Sequence, residues 1–90
     1  MADIIVTRIG DHEFRVTVAE SGSQTVHTVT AADEDSQRYG GDVSPERLIE
    51  LSFEFLLERE QKEAILTRFD LPMIEHYFPE YRRAIRKRLG

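Results

Sequence analysis

The chain predicts an α+β fold, in which a three-stranded antiparallel meander is followed by a central helix and C-terminal helices packed on one face. Two observations carry that expectation. Between Asp3 and Ala31, Val, Ile, Thr and Phe alternate with polar residues, which is a strand pattern. From Ser44 onward the apolar residues recur at helical intervals. A single domain of 90 residues follows, with the meander in 1–31, a loop in 32–43 and the helical part in 44–90.

Residues 3–9, 14–20 and 24–31 read as strands. The segment Gly10-Asp11-His12-Glu13 and the pair Ser21-Gly22 supply the turns. With Ile9 opposite Phe14, Thr7 falls opposite Val16 and Ile5 opposite Val18, giving one apolar face. A two-residue turn at Ser21-Gly22 or Gly22-Ser23 adds His27 and Val29 to it. The other face carries Arg15, Thr17, Val26, Thr28 and Thr30, with Ile4 and Val6 as its apolar exceptions. Such one-sided alternation places helices on one face only.

Residues 32–43 read as a flexible crossing loop, acidic at Asp33-Glu34-Asp35 and loosened by Gly40-Gly41. The central helix, 44–60, opens on a capping Ser44, with Pro45 at its first position and Glu46 at the positive end of the dipole. Its apolar arc spans roughly 240°, where a helix resting on one surface needs only about 100°. Cover from two sides follows, by the sheet and by another helix or a second subunit. Residues 62–69 read as further helix burying Ile65, Leu66 and Phe69. Asp70 is placed to cap a short turn over 73–77, and Pro79 to open a last helix ending at Leu89. Phe78, Tyr81, Ile85 and Leu89 form that helix's apolar stripe.

Composition narrows the function classes. The chain has 40% hydrophobic and 32% charged residues, as a folded soluble domain does. It has no cysteine, so disulfides and thiolate metal sites are excluded. No run approaches a membrane span, and the first residues lack a signal peptide's basic and apolar regions; the expectation is a cytoplasmic protein with no membrane partner. The net charge is −5, yet residues 81–90 hold five basic side chains and no acidic one. An acidic body with a basic end is the main electrostatic feature.

The segments Val43-Ser44-Pro45-Glu46-Arg47-Leu48-Ile49, Phe53-Glu54-Phe55-Leu56-Leu57-Glu58-Arg59-Glu60 and Phe69-Asp70-Leu71-Pro72, with Tyr77-Phe78-Pro79-Glu80-Tyr81, resemble a family of short uncharacterised bacterial proteins. No established activity attaches to that family. Three strands leading into a helix also resemble, in topology, the antitoxin half of the HicAB toxin–antitoxin pair.

No pattern points to catalysis. His12, His27 and His76 stand on a turn, a strand and a helical segment, without the spacing of metal ligands. Asp33-Glu34-Asp35 has Arg38 where a calcium loop needs glycine. Neither a Gly-x-Ser-x-Gly elbow nor a glycine-rich phosphate loop is present. Glu50, Glu54 and Glu58 share a helix face and read as its solvated side. The chain is therefore expected to be no enzyme and to need no cofactor. Arg82, Arg83, Arg86, Lys87 and Arg88 remain as contacts for a protein partner or for nucleic acid, and the acidic body speaks against nucleic acid. A monomer is favoured over a homodimer, because Phe78, Tyr81 and Ile85 can supply the second cover of the central helix.

Overall fold

Phe14, Val16 and Val18 alternate with Arg15, Thr17 and Ala19 along β2 (Glu13–Glu20), and that alternation sets the inside of the molecule. The three apolar side chains are fully buried. The computed structural model describes residues 2–90. β1 (Asp3–Arg8), β2 and β3 (Ser23–Thr30) form an antiparallel meander. Between β2 and β3, Glu20 pairs with Ser23 across a two-residue turn in which Ser21 and Gly22 both have positive φ, 57° and 80°. Those angles define a type I′ turn, whose twist matches the strands it joins. Asparagine tolerates that conformation better than serine, so Ser21→Asn is expected to raise stability by a few tenths of a kcal/mol, seen as a higher denaturation midpoint. A lowered midpoint would mean that Ser21 has another role.

The first hairpin differs from expectation by one residue. Arg8 pairs with Phe14, Val6 with Val16 and Ile4 with Val18. The turn closes earlier because the Ile9 and Gly10 amides both donate to the Glu13 carbonyl, at 2.9 and 3.2 Å. A one-residue slip exchanges the faces of a strand. Ile4 and Val6 therefore pack against the core, while Ile5 and Ile9 stand outside.

Residues 32–43 are not a simple loop. Asp33–Gly40 is a helix, α1. Its three acidic residues lie in the first turn, where the helix dipole favours them, and Arg38 pairs with Asp35 at 3.3 Å. Tyr39 anchors it in the core. Gly40 permits a close approach, since a Cβ there would lie 3.1 Å from Leu48 Cδ2 and that side chain would have to shift.

α2 (Pro45–Leu57) is the central helix, three residues shorter than predicted at its C-terminal end. Ser44 Oγ accepts from the Arg47 amide at 3.2 Å. The two-sided cover is completed within the chain. On the sheet side, the Phe53 ring lies 5.4 Å from His27 and 6.0 Å from Phe69. On the other side, Phe55 lies 5.4 Å from Tyr81, on α4 (Tyr81–Leu89).

The larger correction comes after α2. Residues 62–69 are not a helix. Lys62–Ala64 make one 3₁₀ turn, and Arg68–Asp70 form a fourth strand, β4, parallel to β3. The sheet is thus four-stranded and mixed, in the order β1-β2-β3-β4. β3 would otherwise leave backbone groups unpaired: the Thr28 amide donates to the Thr67 carbonyl and the Leu71 amide to the Thr30 carbonyl, both at 2.8 Å. Asp70 accepts from the Thr30 hydroxyl rather than capping α3 (Met73–Tyr77), which has Pro72 at its N-cap. No helix among the described residues is long and apolar enough to cross a membrane.

Candidate functional site

Where α2 ends, the chain builds a groove. Ile65 turns inward after the 3₁₀ turn, and Phe69 follows on the core side of β4. Leu66 does not go with them. His27 Nδ1 donates to the Leu66 carbonyl at 2.8 Å and Nε2 accepts from the Thr25 hydroxyl at 2.8 Å. Both nitrogens of this buried ring are thereby satisfied, and the Leu66 backbone is held with its side chain toward solvent. Leu66 was expected in the core, and it is 49% exposed. α3 then returns across the end of the sheet and leaves a gap of about 490 Å³ between itself, the 3₁₀ turn and the end of α2.

The floor of this groove is Leu56, Ile65, Phe69 and Ile74, with Phe78 partly buried beside them. At its mouth stand Leu66, Met73 and Tyr77, the last two 36% and 61% exposed. Apolar side chains clustered at a concave mouth mark binding surfaces more often than scattered ones do. Glu60 is the single charged residue of the lining, and it makes no ion pair among the described residues. Lys62 nearby is buried, and its ammonium reaches Glu63 Oε2 at 2.8 Å. That hydrogen bond holds the Glu63 carboxyl below the usual carboxylate range. Sequence reasoning missed the groove. Leu66, Met73 and Tyr77 meet there only because β4 pairs with a strand 40 residues away, as Thr30 with Asp70 shows.

The five basic residues of α4 are divided by the structure. Arg82 donates through Nε and Nη2 to the two oxygens of Glu75, each at 3.0 Å, and Glu75 also accepts from the Tyr39 hydroxyl at 2.9 Å. The Arg82 fork holds the Glu75 carboxyl low, and the same bonds raise the Arg82 guanidinium. Arg88 donates to Glu58, which also takes Arg59; the Arg88 bond lowers the Glu58 carboxyl. These two arginines fasten α4 to α3 and α2. Arg83, Arg86 and Lys87 are exposed, form no ion pair among the described residues, and share one helix face at i, i+3 and i+4. Changing those three to Gln is expected to move stability by less than about 0.5 kcal/mol in urea denaturation. A loss above about 1 kcal/mol would show that they hold the fold.

The three histidines are not brought together. His12 lies 3.7 Å from Asp33, and His76 stands edge-on to Tyr77 with ring centres 5.4 Å apart. Among the described residues, no group of three or more His, Asp or Glu side chains is placed to hold a metal ion. Compared with known proteins, the chain matches no family model, no curated protein and no solved structure.

Proposed function

We propose that this chain is a small non-catalytic protein-interaction module that docks a partner protein at the groove beside β4. One observation carries the reading: the concave apolar surface of about 490 Å³ whose mouth exposes Leu66, Met73 and Tyr77. An enzyme's pocket of that size would gather polar groups convergent on a reacting atom. This lining offers one carboxylate, Glu60, and one phenol, Tyr77, among side chains that are otherwise apolar. Apolar mouth residues are what a partner's side chains cover when two proteins meet. The proposal includes a bacterial, cytoplasmic setting and action as a monomer that regulates through its partner.

A photo-crosslinking benzoylphenylalanine placed at Tyr77 tests the reading in cells, with the same group at Ile5 on the open sheet face as control. The expected result is a discrete adduct with another protein from position 77 and none from position 5. Equal labelling from both positions would remove the groove's claim.

A second reading rests on the unpaired strip Arg83, Arg86 and Lys87. Three cations on one helix face can follow a phosphate backbone, and this is where the topological likeness to HicB-type antitoxins would find expression. Salt-sensitive RNA or DNA binding, lost when the three become Gln, would favour it. The acidic remainder of the chain speaks for the protein partner.

A further inference from the structure

β4 is an edge strand, since the sheet ends with it. The Thr67 carbonyl and the Leu71 amide both bond β3. Backbone groups of alternate residues point to opposite sides of a strand. Phe69 therefore also faces β3, and the amides and carbonyls of Arg68 and Asp70 face outward, where no strand stands. The Phe69 side chain lies on the core side and lines the groove. A fifth strand, about 4.8 Å beyond β4, would cross the mouth of the groove and send every second side chain into it.

Resting on the reading of the groove as a protein interface, we infer that its occupant is an extended segment of the partner, apolar at alternate positions and carrying a cation for Glu60, which adds to the free edge of β4. Hydrogen bonds to Arg68 and Asp70 supply the register and the groove supplies the specificity. A docked helix satisfies its own backbone, so it would leave those edge groups without partners. The charge follows from Glu60, the one charge of the lining, which has no ion pair among the described residues. An acidic occupant would bring a second carboxylate to it, in a chain already at −5. A second copy fits poorly. Its open edges are β1 and β4: β1 on β4 is a head-to-tail contact that builds open chains, and β4 on β4 closes a dimer but offers only Arg68-Phe69-Asp70, whose one apolar side chain is already buried in its own core.

The test is selection from a random linear peptide library displayed on phage, against the wild type and against Leu66→Asp, a change at an exposed position. The expected ligands are retained by the wild type, lost on Leu66→Asp, alternate between apolar and polar residues, and carry Lys or Arg. A synthetic peptide of the selected sequence should then protect the Arg68 and Asp70 amides from hydrogen exchange in the wild-type protein. N-methylation of its alternate amides should weaken it more than about tenfold, through two lost hydrogen bonds. Glu60→Lys should weaken it about five- to tenfold. Groove-dependent ligands with helical anchor spacing, or with acidic residues, would overturn the inference and leave the groove's role standing. Full affinity in Glu60→Lys would overturn the charge assignment. A library yielding nothing that depends on Leu66 would overturn the groove reading itself, and this inference with it.

Discussion

Phe53→Ala is expected to lower stability by about 3–5 kcal/mol, through lost transfer energy and the cavity left behind. Phe53 is fully buried, and its ring joins α2 to two strands at once, through His27 on β3 and Phe69 on β4. No neighbour can fill the space without breaking another contact, because His27 is fixed at both nitrogens. For a domain whose total stability is about 5–15 kcal/mol, that loss approaches global unfolding. The denaturant midpoint in urea should fall steeply with an unchanged slope. Phe53→Leu, which keeps most of the apolar volume, should cost less. An unchanged midpoint for Phe53→Ala would mean that the sheet and α2 are not packed through this ring.

α2 was the most legible element, because its information is local. A capping Ser44, Pro45 at the first position and a wide apolar arc all lie within one segment. Its two-sided cover was legible too. Where the reading failed, the deciding partner was far away in the chain. β4 has three residues, too few for any period to show, and it is a strand because β3 had an unpaired edge to offer. α1 was obscured by its acidic run and its glycines. Those acidic residues favour the first turn of a helix as readily as a loop, and Gly40 is there to let Leu48 approach.

The first hairpin shows a finer failure. Ile4-Ile5-Val6 is apolar at three consecutive positions, so either register of β1 buries something. The Glu13 carbonyl, taken by two turn amides, decides between them. The candidate site inherits these limits. The basic end was plain from composition, yet which of its members were free was not. Arg82 and Arg88 are tied by Glu75 and Glu58, residues whose proximity only the tertiary fold creates.

Tyr81 carries the second large effect, and it divides into parts that can be measured separately. Its side chain is fully buried, with ring centres 5.1 Å from Tyr39 and 5.4 Å from Phe55. Ser52 Oγ donates to the Leu48 carbonyl at 2.7 Å, so the Tyr81 hydroxyl is the donor in its 2.7 Å bond to Ser52. Tyr81→Ala should cost about 3–5 kcal/mol by loss of the ring. Tyr81→Phe keeps the ring, leaves Ser52 bonded to Leu48, and should cost only about 1 kcal/mol. Alkali adds a third measurement. Burial pushes the Tyr81 phenol far above its ordinary value, and burial with Glu75 beside it raises Tyr39 as well. Below about pH 10 both phenols are protonated in the folded and unfolded chain alike, and their contribution is fully present. Above it the unfolded chain loses protons that the folded chain keeps. Stability then falls by about 1.4 kcal/mol per pH unit through Tyr81, until its folded phenol itself ionises, and Tyr39 adds a smaller loss in the same direction. Comparing denaturant midpoints at about pH 8 and about pH 11 should show a clearly smaller alkaline loss in Tyr81→Phe than in the wild type, with Tyr39 supplying part of what remains. Equal losses in the two proteins would place the Tyr81 hydroxyl in contact with water, and the Ser52 bond would no longer account for its position against α2.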